Sequence, residues 1–175
     1  MENLPGSTFA LEAEEPLLSQ LKELAFTLNG NWVALEPGDK VLYHTAAVFV
    51  SNYLVTLVKL ALDLWHDFGI SEEKATKALL PLLRGTVNNI ESVGLPACLT
   101  GPIARGDLGT IRKHSEALES KDSSLLTIYQ ELGLHTIPVA LAKGRIDEDK
   151  AEELRNLFNQ SLRAKGEAIP IGGKR

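Results

Sequence analysis

The pattern of hydrophobic and polar positions changes once along the chain, near residue 38. Before that point, residues 8–12 and 31–35 alternate as short strands do, and residues 16–28 between them repeat every three to four positions as a helix does. Asn29-Gly30 follows as a typical helix stop. This order predicts a short β-α-β unit over residues 1–37. Parallel strands usually lie in larger sheets, so we interpret the unit as the remnant of a larger domain.

Beyond the turn at residues 36–38, nearly every segment as far as residue 165 has helical spacing. Good N-cap residues precede the predicted helices, namely Ser71, Asp107, Asp122 or Ser123, and Asp147. Glycines separate the helices at positions 69, 94, 133 and 144. Pro81 is expected to kink the second helix, and Pro138 to lie in a short fifth helix after a stop at Gly133. The pattern predicts a mainly α domain over residues 38–165 and a flexible tail over residues 166–175.

The first predicted helix, from about residue 39 to residue 68, is apolar around most of its circumference. An ordinary surface helix carries a single apolar stripe, so this helix is expected to be central to the fold or to a homodimer. Polar residues interrupt the apolar run at His44, Ser51, Asn52, Lys59 and Asp63. These interruptions argue against a membrane span.

The composition narrows the class of protein. A length of 175 residues with 44% hydrophobic content suffices for one compact domain and a small appendage. A net charge of −5 argues against a nucleic-acid partner. The single cysteine, Cys98, allows no internal disulfide, and with no signal sequence we expect a cytoplasmic protein. The histidines are widely spaced without carboxylates at ligand spacing, so no metal site is predicted.

Three polar residues on the first predicted helix are the first candidates for chemistry. Lys40, His44 and Asn52 lie four and eight positions apart, which rotates the side chain by about 40° and about 80° and keeps all three on one flank. Polar groups within an apolar helix need partners or a function. A solvated Lys40 in the first turn and a half-buried, satisfied His44 would be the simplest alternative.

The string Leu99-Thr-Gly-Pro-Ile-Ala-Arg-Gly-Asp107 is the second candidate. Its glycines and proline indicate a defined turn, and Arg105 offers a planar donor fork that suits carboxylate or phosphate. Thr100 and the amide of Asn89 are expected to join Arg105 in binding a substrate. For Asp107, a plain N-cap role is the simpler interpretation. The chain has no glycine-rich dinucleotide loop, P-loop or other self-sufficient cofactor motif.

Taken together, these residues resemble a known family. The residues that carry the resemblance are Lys40-x-x-Tyr43-His44-x-Ala46-Ala47-x-x-x-Ser51-Asn52-Tyr53, then Pro81-Leu82 with Asn89, then the Leu99–Asp107 string with His114. It is similar to the C-terminal domain, of unknown function, of uncharacterised Rossmann-like oxidoreductases. That group resembles the ketopantoate reductase and 6-phosphogluconate dehydrogenase superfamily, in which a helical C-terminal domain dimerises and closes the substrate cleft.

The resemblance implies a multi-helix domain of the 6-phosphogluconate dehydrogenase C-terminal type, preceded by a β-α-β remnant of a Rossmann-like dinucleotide-binding domain. The intact protein would transfer hydride between NADP or NAD and a small, anionic carbonyl, hydroxyl or imine substrate. In the hydroxyacid-dehydrogenase branch of that superfamily, the first helix of the second domain carries a lysine and, four residues later, an asparagine beside the nicotinamide. Lys40 matches that lysine, and His44 stands where the asparagine would be. Lys40 or His44 would donate the proton and Asn52 would orient the substrate.

Two functions from other classes remain open. The chain could be a non-catalytic helical module that forms a homodimer, or a module that binds a small anion through Arg105 without redox chemistry. Because the phosphate-binding motif is absent, this chain alone is expected to be inactive.

Overall fold

A computed structural model of the chain describes residues 5–166, with side chains described as far as residue 159. Within this range the protein is mainly helical, with a short two-stranded parallel sheet near the N-terminus, which confirms the predicted class at this level. The elements are β1 (Thr8–Leu11), α1 (Leu17–Thr27), β2 (Asn31–Ala34), α2 (Asp39–Val50), α3 (Asn52–His66), α4 (Glu72–Val93), a 3-10 turn (Ile103–Arg105), α5 (Leu108–Lys121), α6 (Ser123–Ala142) and α7 (Glu148–Gly166). The predicted tail beyond Gly166 lies outside the described residues.

The residues divide into two compact units, Met1–Phe68 and Gly69–Arg175. The first holds the sheet and helices α1 to α3, and the second holds α4 to α7. These units are groups of residues in mutual contact. The domain boundaries that the sequence predicts after residues 37 and 165 stay predictions.

In the first unit, β1 and β2 pair in parallel, with Thr8 opposite Asn31 and Leu11 opposite Ala34. The β-α-β order predicted from the alternating pattern is thus confirmed. α1 contacts both strands and buries Ala25. It ends where Asn29 adopts a positive φ of 54°, which asparagine tolerates better than most residues.

The apolar segment of the first unit forms two helices rather than the single helix that the sequence predicts. Ser51 interrupts it with φ −112° and ψ −70°, although its N–H still donates to the carbonyl of Ala47. Serine and asparagine side chains compete for backbone hydrogen bonds, and the break falls at Ser51-Asn52. Neither α2 nor α3 buries a residue. By length and composition alone, Asp39–His66 would also suffice to cross a membrane.

The second unit has its core between α5, α6 and α7. Five fully buried side chains form it: Ile111, Ile137, Ala151, Leu154 and Phe158. The predicted N-caps Asp107, Asp122 and Asp147 are confirmed, since each carboxylate accepts a backbone N–H from the first turn that follows it. The α4 prediction also holds, with Ser71 before the helix and Gly94 after it.

One helix of the second unit was predicted wrongly. The expected stop at Gly133 and the short helix around Pro138 are absent, because α6 runs without interruption from Ser123 to Ala142. Gly133 is buried, and a Cβ at this position would lie 2.4 Å from Cζ of Phe158 on α7. Glycine is needed here for the close approach of two helices, and it does not end the helix.

Candidate functional site

The Leu99–Asp107 string folds into a tight turn between α4 and α5. Gly101 and Gly106 have positive φ values of 97° and 64°, a region that favours glycine. The carbonyl of Pro102 accepts the N–H groups of Arg105 and Asp107 at 3.1 and 2.9 Å. At Gly106, a Cβ would come within 2.7 Å of Cγ of Lys150. The turn is therefore held by backbone hydrogen bonds and by contact with α7.

Asp107 closes the turn and starts α5. Its Oδ1 accepts the N–H of Thr110 at 3.0 Å and its Oδ2 accepts the Thr110 hydroxyl at 2.7 Å. These two bonds hold the pKa of Asp107 below its ordinary value, with a further contribution from the charge of Arg105. Arg105 Nη2 lies 3.9 Å from Oδ2 of Asp107, and the Arg105 side chain is 65% exposed. A separation of 3.9 Å is beyond hydrogen-bond distance, so the donor fork of Arg105 remains available to a ligand.

A cavity of about 410 Å³ opens beside this turn, entirely within the second unit. Its lining residues are Leu99, Thr100, Gly101, Ala104, Arg105, Lys143 and Arg145. Three of them carry a positive charge and none is acidic. We call this cavity the cationic pocket.

Lys143 fixes one wall of the cationic pocket. Its ammonium group donates to the carbonyls of Ala97 and Leu99, both at 2.7 Å. The residue is half-buried and follows the last residue of α6 directly. Its side chain therefore ties the end of α6 to the segment that precedes the turn. Cys98, also half-buried, lies between the two carbonyls that Lys143 binds.

The structure places Thr100 and Arg105, predicted as substrate-binding residues, together in the lining of the cationic pocket. Asn89, predicted with them, is exposed on α4 and does not line it. Lys143 and Arg145 were missed by sequence reasoning. The only local signal for them is the Lys143-Gly144-Arg145 triplet, which by itself predicts a helix end.

The other predicted site residues lie in the first unit. Lys40 lines a separate cavity of about 430 Å³, together with residues of β1 and Tyr43. His44 is exposed on α2, and Asn52 is the exposed first residue of α3. No side-chain hydrogen bond or ion pair joins Lys40, His44 and Asn52 within the described part of the chain. Their roles stay predictions.

Two further features bear on the chemistry. Among residues 5–159, no group of three histidine, cysteine, aspartate or glutamate side chains is placed to hold a metal ion.

His114 Nδ1 lies 3.0 Å from the hydroxyl oxygen of Tyr129, joining α5 to α6. Burial raises the pKa of Tyr129, which also stacks edge-on against Phe158. This pair belongs to the packing of the helical core.

The structure is mainly helical, and its second unit carries the cationic pocket. Residues 7–136 match the family described as Domain of unknown function (DUF2520), and the chain belongs to that family. Neither a curated protein nor a solved structure matches the chain.

Proposed function

We propose that this chain is the helical, substrate-binding half of a cytoplasmic NAD(P)-dependent oxidoreductase of the 6-phosphogluconate dehydrogenase C-terminal type. Its substrate is a small anionic carbonyl, hydroxyl or imine compound. The observation that carries the proposal is the cationic pocket, because the string that prompted the resemblance builds its wall with Thr100 and Arg105. The pocket's volume lies in the range of small-molecule sites.

In this proposal, Arg105 binds the anionic end of the substrate through its planar donor fork, and the Thr100 hydroxyl adds a neutral hydrogen bond. The protein as a whole is acidic, with a net charge of −5, so a pocket whose charged lining residues are all cationic stands out electrostatically and would concentrate small anions. Lys40 or His44 holds the proton that the reacting oxygen or nitrogen takes up, as the resemblance implies. Of the two, His44 has the ordinary pKa closer to neutrality.

The residues described here do not fit a dinucleotide. In dinucleotide-binding folds the pyrophosphate sits at the N-terminus of the first crossover helix, on a glycine-rich turn. Here the carboxylate of Glu15 occupies that place, accepting the N–H and the hydroxyl of Ser19 at 3.2 and 2.7 Å. These bonds lower the pKa of Glu15 and keep it ionised. The proposal therefore assigns NAD(P) to a separate nucleotide-binding domain.

Ligand-dependent thermal unfolding tests the binding half of this proposal. We expect small 2-oxo and 2-hydroxy carboxylates to raise the melting temperature saturably, as mass action requires, and NADPH to leave it unchanged. Arg105→Gln should abolish the response to the acids. Arg112→Gln, a matched change at an exposed arginine of α5, should preserve it. If no small acid raises the melting temperature, substrate binding at this pocket is wrong.

The redox half has its own test. If the DNA immediately upstream of the Met1 codon encodes an in-frame β-α-β segment with G-x-G-x-x-G, the longer protein should turn over NADPH. Lys40→Ala or His44→Ala should then lower that turnover about 100-fold or more, the usual contribution of a general acid. A stop codon at that place, or unchanged turnover in both variants, would contradict the redox assignment.

A second candidate function is a homodimerisation module, and the exposed apolar surface of α2 and α3 favours it. Val41, Leu42 and Val50 are each more than 70% exposed. Residues 41–58 carry no acidic residue, lysine or arginine. An extended, largely apolar surface of this kind is typical of an interface, and a two-fold pairing with a second copy is the commonest way to cover one. This interface is compatible with the oxidoreductase proposal.

Light scattering of the purified chain without detergent tests the dimer. We expect twice the chain mass, and a monomer for Val50→Glu, because a dimer would bury the new charge. Leu17→Glu places the same charge at a 52% exposed leucine of α1 and should leave the dimer intact. A monomeric wild-type chain would contradict the pairing, and recovery only with membranes or detergent would point to a lipid contact for Asp39–His66 instead.

A further inference from the structure

We infer that the cationic pocket is built for a dianion, and that its ligand is a small phosphate monoester. The inference rests on the proposed function, because it specifies the anion that the same pocket binds. It adds Lys143 and Arg145 as ligand-binding residues, which neither the sequence pattern nor the family description assigns.

The charge of the lining carries the first step. Arg105, Lys143 and Arg145 line one cavity of about 410 Å³ that has no acidic residue in its wall. Like charges that share one cavity repel one another, so a bound counter-charge would stabilise the arrangement. A monocarboxylate would neutralise one of the three. A phosphoryl group carries nearly two charges near neutral pH and offers three acceptor oxygens, so it can neutralise and bond to more of these cations.

The second argument is that each of the three cations keeps a hydrogen-bond donor that no other group uses. The carboxylate of Asp107 accepts hydrogen bonds from Thr110, and its 3.9 Å distance to Arg105 Nη2 is too long for a hydrogen bond, so the donors of Arg105 are free of it. Arg145 is exposed and has no ion pair in the part of the chain that the structure describes. Lys143 uses two of its three N–H donors on the carbonyls of Ala97 and Leu99, which leaves one. Each cation therefore keeps at least one donor for a ligand.

The third argument is that the cavity is larger than a lone phosphate ion needs. A volume of about 410 Å³ belongs to the range of sites for small organic molecules and exceeds what a lone phosphate ion fills. Leu99 and Ala104 supply apolar wall beside the charged groups. The pocket thus suits a phosphoryl group attached to a short carbon chain.

Isothermal titration of the full chain at constant ionic strength tests the inference, with glycerol 3-phosphate, lactate and inorganic phosphate as the probes. We expect glycerol 3-phosphate to bind about tenfold or more tightly than lactate, since each additional charged hydrogen bond contributes at least that factor. Arg145→Gln should lower the affinity for glycerol 3-phosphate about tenfold and leave the affinity for lactate nearly unchanged. Arg112→Gln should change neither.

The outcomes separate the two proposals. If lactate binds as tightly as the ester, or if Arg145→Gln leaves the affinity for the ester unchanged, the dianion site is wrong and the proposed function survives. Equal affinity for inorganic phosphate and the ester would overturn the assignment of a monoester. If no probe binds although circular dichroism shows a folded chain, both proposals fail. Lys143→Gln adds a second test, because it should lower the affinity for the ester even though Arg145 is intact.

Discussion

Replacing Gly133 by alanine tests whether the approach of α6 to α7 is as close as the structure shows. The new Cβ would lie 2.4 Å from Cζ and 2.8 Å from Cε1 and Cε2 of Phe158. Carbon atoms pack comfortably at about 3.5 Å, so the ring would have to retreat by about 1.1 Å. Phe158 is fully buried in the core of the second unit, so the ring can retreat only by displacing its neighbours in that core.

Two free-energy terms oppose each other in this variant. Alanine stabilises a helix by about 1 kcal/mol relative to glycine. Overpacking a core costs about 1–3 kcal/mol, and the head-on contact with three ring atoms places this site at the upper end. We therefore expect Gly133→Ala to lower the free energy of unfolding by about 2 kcal/mol, from the difference of these terms.

Gly85 provides the matched control, because it lies inside α4 of the same unit and a Cβ there would meet no atom within 4 Å. Gly85→Ala should stabilise the protein by about 1 kcal/mol. Urea unfolding followed by far-ultraviolet circular dichroism measures both changes. In a Phe158→Leu background, Gly133→Ala should lose its penalty, which gives a coupling energy of about 2–3 kcal/mol. A Gly133→Ala protein as stable as the wild type would refute the close approach.

Two other predictions concern single side chains of the second unit. Gln130 is fully buried, and neither its Oε1 nor its Nε2 has a hydrogen-bond partner in the described residues. Gln130→Leu should therefore raise the free energy of unfolding by about 1–2 kcal/mol and raise the melting temperature with it. A lower melting temperature would show that the amide has a partner. The pKa of Asp107 is lowered from its ordinary 3.8 by its bonds to Thr110, so its contribution to stability is present above that pH and is lost as the pH falls through the lower folded-state pKa. Asp107→Asn should therefore flatten the acid limb of the stability curve, and an unchanged limb in urea titrations at stepped pH would contradict this.

The features that the sequence predicts well are those decided by neighbouring residues. Asp107, Asp122 and Asp147 start helices because a carboxylate can reach the N–H groups of the turn that follows it, whatever the rest of the chain does. The strand alternation around residues 8–12 and 31–35 is local in the same sense. The class of fold follows from these short-range signals.

The features that the sequence misses depend on distant residues. Gly133 has the same sequence signature as a helix stop, and only the ring of Phe158, 25 positions later, gives it another meaning. Thr100 and Arg105 were found because they lie in one string. Lys143 and Arg145 lie about 40 residues further on, and only the packing of α6 brings them to the same cavity.

The position of Cys98 gives the protein a built-in chemical reporter. The chain has no other thiol, and this one lies between the carbonyls of Ala97 and Leu99 that Lys143 binds. Because the thiol is half-buried, its rate of reaction with an aromatic disulfide depends on the conformation of the segment that Lys143 holds through these two carbonyls. A ligand that engages Lys143 would change that rate, and occupancy of the pocket could be followed by absorbance without any engineered label.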